Sequence, residues 1–100
     1  MFARVSVYEF PVGRMDDAVQ EFEAALDQIS ALDGFSEAFF FVAPEEGRAN
    51  TTTFWTSRSA LEASRSAASN LRTKAALAAD GGVISATEYE VGVHLDRQSV

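Results

Sequence analysis

Apolar and polar positions along this chain follow two alternating periods, and each switch between them marks an element. Residues 2 to 10, Phe-Ala-Arg-Val-Ser-Val-Tyr-Glu-Phe, alternate as a strand does. Ala3, Val5 and Val7 share one face; Phe2, Arg4, Ser6, Tyr8 and Phe10 share the other. Pro11 and Gly13 end the run. Apolar residues then recur at helical steps through Met15, Ala18, Val19, Phe22, Ala25, Leu26, Ile29 and Leu32. Asp16 and Asp17 fall in the first turn, where the helix dipole favours negative charge. Gly34 is the expected C-terminal glycine of this helix.

The stretch from Gly34 to Thr56 predicts a hairpin, with Pro44 and Gly47 in its turn. Phe39 and Phe41 point one way, Phe40 and Val42 the other, so both faces of the first arm are apolar. In the second arm Thr51, Thr53 and Trp55 alternate with Thr52 and Phe54. Ser57 or Ser59 caps a second helix, and Ser59 with Glu62 forms a capping box. Its stripe of Leu61, Ser64, Ala68 and Leu71 is small enough for close approach to a support. Ser69-Asn70 is expected to interrupt the helix, with a further turn or two over residues 71 to 79. Asp80-Gly81-Gly82 makes a turn, and residues 83 to 95 predict a last strand with a bulge or bend at Gly92. The final residues are polar and expected to fray.

The order βαββαβ predicts an α+β fold: a four-stranded antiparallel sheet with both helices on one face, as one domain over residues 1 to 100. The other sheet face carries aliphatic, aromatic and threonine side chains. Left open to water, it would promote aggregation, and a second copy of the chain is the expected cover. A hydrophobic share of 47% with 11% aromatics excludes a disordered chain. The net charge of -7 argues against nucleic acid or an anionic membrane as partner. No signal peptide and no membrane span are read in the sequence. The absence of cysteine excludes disulfide and thiolate chemistry and fits a cytoplasmic protein. With a single histidine, His94, and no carboxylates at ligand spacing, no metal site is expected. No glycine-rich phosphate loop or dinucleotide fingerprint occurs, so no flavin or nicotinamide is indicated, and no cofactor is expected.

Several segments resemble the dimeric α/β-barrel (ferredoxin-like) superfamily, and within it the antibiotic-biosynthesis-monooxygenase-like group. They are Gly13 opening helix one, Asp33-Gly34-Phe35 before strand two, and Phe54-Trp55-Thr56-Ser57 running into Ala60-Leu61-Glu62-Ala63. The resemblance implies a homodimeric barrel. It also implies one of several activities: cofactor-free oxygenation of aromatic polyketides, heme degradation, or isomerisation of small cyclic compounds. The chain departs from the pattern at known functional positions. Ser64 stands where many members carry a helix histidine. The heme-degrading branch has asparagine, tryptophan and histidine where this chain has Ser6, Ser64 and Lys74, so heme degradation of that type is not expected. The asparagine of the polyketide oxygenases falls on Thr51, with Asn50 adjacent.

Trp55 is the leading candidate for substrate binding, by stacking on a planar molecule; core packing is the competing role. Arg4 and Tyr8 are the candidate catalytic pair, an anion holder and a proton donor, with Ser6 beside them, if their strand face lines a cavity. A wet interface is the commoner place for such a face. Asn50, Ser64 and Phe39 complete the candidate substrate contacts, although core and dimer seam are the usual fate of such phenylalanines. Glu88 and Glu90 read as a solvated strand face, and His94 as an exposed or interface residue. Arg58, Arg65 and Arg72 form a row on helix two that could attract an anion; more often such a row faces water or pairs with acidic neighbours such as helix one. Two functions follow: a cofactor-independent monooxygenase acting on a small planar apolar molecule, or a non-catalytic dimer that binds a ligand or serves as a structural module. A cavity of about 300 Å³ or more beside Trp55 favours the first, and a filled core the second.

Overall fold

The computed structural model describes residues 1–97. The order is β1 (Phe2–Glu9), α1 (Met15–Ile29), β2 (Phe35–Ala43), a 3-10 turn (Pro44–Glu46), β3 (Arg48–Trp55), α2 (Arg58–Ala78) and β4 (Gly82–Glu90). All pairings are antiparallel, in the spatial order β2-β3-β1-β4. This is the ferredoxin-like arrangement expected from the sequence, with α1 and α2 together on one face.

Four expectations about boundaries are corrected. α2 runs unbroken through Ser69-Asn70. The modest propensity cost of those two residues is outweighed by burial of Ala68, Ala75 and Ala76 on either side. Its cap is Ser57, whose Oγ accepts from the Ala60 N–H at 3.1 Å; Ser59 reaches only the Ser57 hydroxyl. α1 closes at Ile29, and Gly34 lies beyond it with φ of 78°. A Cβ at Gly34 would sit 2.3 Å from Cβ of Ala60, so this glycine lets the start of α2 come close. β4 stops at Glu90, because its only neighbour, β1, begins at Phe2, the register partner of Glu90. Its irregularity lies between the partners of Val7 and Tyr8, not at Gly92. The frayed end expected for the last residues falls on 98–100, outside the described residues.

The core between sheet and helices divides into two apolar clusters. One gathers Tyr8, Phe10, Met15, Ala18 and Phe22 with the end of α2; the other gathers Ile29, Trp55, Leu61 and Ala68. Phe40 packs on the first, its ring stacked 4.5 Å from that of Phe22. Phe39 and Phe41 point the other way and are 42% and 52% exposed. They stack on each other at 5.3 Å, with Phe54 edge-on to Phe39. No helix is long and apolar enough to cross a membrane.

Candidate functional site

A polar seam separates the two clusters. β1 places Arg4 and Ser6 on the helix side, and β3 places Thr53 and Thr51 directly opposite them. All four are buried, with Arg4 only 4% exposed. Apolar residues of α1 (Phe22, Leu26, Ile29) face this floor, and Ala68 and Arg72 of α2 close the side. The cavity is small, about 10 Å³, roughly the room one water needs. Larger hollows occur at the surface, such as one of about 430 Å³ beside Ala43 to Glu46, but no buried polar side chain lines it.

Arg4 ties three elements together. It donates to the Leu61 carbonyl at 2.8 Å, to Ser64 Oγ at 3.2 Å and to Glu88 Oε2 at 2.9 and 3.3 Å. Its guanidinium carbon lies 5.9 Å from the Trp55 ring centroid. Glu88 also accepts from Arg65 at 2.6 and 3.0 Å. Hydrogen bonding to Arg65 is the main reason its carboxyl is lowered to about 2, with Arg4 adding to the effect. Tyr8 shares a 2.7 Å hydrogen bond with Thr51. Burial pushes its phenol above the ordinary tyrosine range, so near neutral pH it is a neutral hydrogen-bonding group and not a phenolate base. Arg72 differs from the other arginines. Among the described residues its Nε and Nη1 atoms are shut off from solvent without a hydrogen-bond partner. Burial lowers its pKa from the usual arginine value.

No protein-family model matches the chain, and no curated protein matches it by sequence. Solved structures match it along almost its whole length. A candidate antibiotic biosynthesis monooxygenase from Deinococcus radiodurans superposes with a TM-score of 0.76 at 13% identity, covering 99% of this chain and 100% of the other.

This chain has the antibiotic-biosynthesis-monooxygenase fold. SnoaB, a cofactor-independent oxygenase from Streptomyces nogalater, superposes on it with a TM-score of 0.72 at 12% identity, over 96% of this chain and 97% of the other. A heme-degrading protein from Mycobacterium tuberculosis reaches 0.65 at 20% identity, over 95% and 98%. Identities this low establish the shared fold, and function has to be argued from the site.

On the antibiotic-biosynthesis-monooxygenase fold of this chain, only Arg4 and Ser6 among the sequence candidates line the cavity. The face they share with Tyr8 looks into the protein, not onto a wet interface. Tyr8 and Trp55 stand one step behind it, through Thr51 and Thr53. Trp55 is fully buried, and its ring N–H donates to Thr53 Oγ1 at 3.0 Å, so neither its face nor its donor is free for a substrate. Ser64 is buried and engaged by Arg4 and the Leu61 carbonyl. Asn50 and Phe39 belong to the opposite sheet face, where Asn50 accepts from Thr52 Oγ1 at 3.1 Å. They are excluded from this cavity because strand parity puts them on the other side from Thr51 and Phe40. His94 is exposed beyond the end of β4. Among the described residues no three His, Cys, Asp or Glu side chains come together to hold a metal.

Two of the three arginines in the row pair with β4 rather than α1. Arg58 reaches Glu90 at 3.9 Å, and Arg65 reaches Glu88. Thr53 and Arg72 as cavity residues were not singled out from sequence. Both carried a signal: Thr53 shares the face of Trp55, and Arg72 lies one helical turn past Ala68.

Proposed function

We propose that this chain is a cofactor-independent monooxygenase-like protein that takes a small planar, apolar molecule into the seam between sheet and helices. The observation that carries this reading is the buried polar floor of Arg4, Ser6, Thr51 and Thr53 beneath an apolar roof. Such a row of polar groups between two apolar clusters offers hydrogen-bonding positions to a molecule that enters the seam. The SnoaB likeness in fold supports the same reading. The cavity is nearly filled, so binding needs α1 and α2 to part. An enol or phenol that has already lost its proton to solvent would react as its anion. A carbon of that anion bonds to dioxygen, and the hydroperoxide then loses water to leave a carbonyl. The substrate supplies all four electrons that dioxygen takes, so no reductant is required. A second copy covers the outer face of Phe39, Phe41 and Phe54, and the acidic, cysteine-free dimer works in the cytoplasm.

The near-filled cavity favours a second reading, a non-catalytic dimer of the same fold. Dioxygen uptake with 1,8-dihydroxyanthrone, a planar enolisable probe, separates the two. Uptake above the uncatalysed rate that falls in Thr51→Val supports the monooxygenase reading. Saturable binding of the probe without uptake supports the binding protein. Neither binding nor uptake removes the seam as a site for planar enolisable molecules.

A further inference from the structure

The side of α2 that faces β4 forms a ladder of arginines against carboxylates, and the ladder is one rung short. Arg58 meets Glu90, and Arg65 meets Glu88. The next β4 residue on that face is Ala86, the register partner of Ser6. Among the described residues, β4 therefore offers Arg72 no carboxylate at that position. Its guanidinium instead contributes to the cavity wall, with Nε and Nη1 buried and unpaired among the described residues. Glu88, the carboxylate whose charge acts on Arg72, is already hydrogen-bonded to both Arg4 and Arg65. The other polar groups of the wall, Ser6, Thr51 and Thr53, are neutral hydroxyls. The seam thus holds Arg4 and Arg72 against a single, shared carboxylate, inside a chain whose net charge is -7. Arg72 is half-buried, and two of its guanidinium nitrogens are cut off from water without a partner among the described residues; an anion entering the seam would supply one.

The wall also lacks a base. Glu88 is too acidic to take a proton near neutral pH, and Tyr8 is held neutral by burial. A molecule that enters must bring its negative charge with it. We infer that Arg72 is the anchor of an oxyanion site, and that the ligand of this seam is a planar apolar molecule carrying a carboxylate or an already ionised enol or phenol. This rests on the seam being a ligand site, as proposed above, and names the class of ligand.

Calorimetric titration with matched probes tests it: 2-naphthoate, and 2-acetylnaphthalene as its neutral analogue. Wild type should bind the anion more tightly. Arg72→Met should weaken 2-naphthoate by about 10- to 100-fold, the range of a charged hydrogen-bonded contact, and leave 2-acetylnaphthalene unchanged. Arg58→Gln, which alters an exposed arginine of the same row, should change neither. Thermal melts of the free protein supply the second readout. Met in place of a half-buried arginine with two unpartnered nitrogens among the described residues should raise the melting temperature or leave it unchanged, whereas loss of a structural arginine would lower it by several degrees. Equal binding of both probes by wild type overturns the anion assignment and leaves the seam as a site. Binding of neither overturns both. A destabilised Arg72→Met that still prefers 2-naphthoate returns Arg72 to packing and overturns the inference.

Discussion

Ser6 and Thr51 stand opposite one another on β1 and β3, both almost fully buried, in the gap between two apolar clusters. Directly beside them Arg4 faces Thr53 in the same way. Four polar residues in adjacent register positions turn the middle of the sheet into a hydrogen-bonding floor. That floor organises its surroundings: Tyr8 and Trp55 spend their polar atoms on Thr51 and Thr53.

The Tyr8–Thr51 bond makes a measurable pair. Thr51→Val leaves the buried phenol without that partner and should cost about 1–3 kcal/mol in denaturant unfolding. In the double variant with Tyr8→Phe the two costs should fall short of additive by about 0.5–1.5 kcal/mol. Full additivity would mean that the hydrogen bond contributes nothing.

Trp55 should behave as core. With no exposed surface and its N–H satisfied within the strand, Trp55→Ala should cost about 3–5 kcal/mol, read from the shift in the urea midpoint. A loss of ligand affinity with unchanged stability would restore the stacking role expected of this residue.

Glu88 gives the protein an acid-sensitive tie. Its pKa in the folded state is about 2, below the unfolded 4.5. A group depressed on folding contributes fully above its unfolded pKa and loses that contribution as pH falls through its folded one. Glu88→Gln should therefore cost about 1–3 kcal/mol at neutral pH, because it loses the Arg65 bonds that do most to lower its pKa, discounted for their exposure, and leaves buried Arg4 without its counter-charge. The gap between the melting temperatures of wild type and variant should narrow as the pH is lowered from about 4.5 toward about 2. A gap that stays constant over that window would show that Glu88 does not carry the linkage.

Gly34 is held by its contact with α2 and by its backbone. Gly34→Ala combines a left-handed φ with a Cβ only 2.3 Å from that of Ala60. A loss of about 1–3 kcal/mol is expected in thermal or denaturant unfolding. A neutral outcome would mean that the start of α2 can slide away from the loop at no cost.

The outer sheet face tests the proposed homodimer. Phe39→Glu with Phe41→Glu changes two exposed, mutually stacked rings and leaves the helix-side core intact. Sedimentation equilibrium should show wild type as a dimer at micromolar concentration and the double variant as a folded monomer. A wild-type monomer would remove the second copy from the proposal.

The order of elements, the strand parities and the polar identity of the β1 face were legible in the chain itself. The direction of a side chain along a strand or helix follows from backbone period alone, so Arg4, Ser6 and Tyr8 had to share a face whatever they packed against. Which face met the helices was not local information, since Val5 and Val7 are as apolar as Tyr8 and Phe10. Closing the sheet against α1 and α2 settled it, and so carried Asn50 and Phe39 away from the cavity and Arg4 into it. The position of Arg72 is more distant still. That two of its nitrogens go without a partner among the described residues depends on Glu88 being held by Arg4, 84 residues away, and by Arg65, and on Ala86 occupying the next place on β4. A sequence shows where charges lie along the chain, but whether a buried charge is answered depends on contacts that exist only once distant segments have packed.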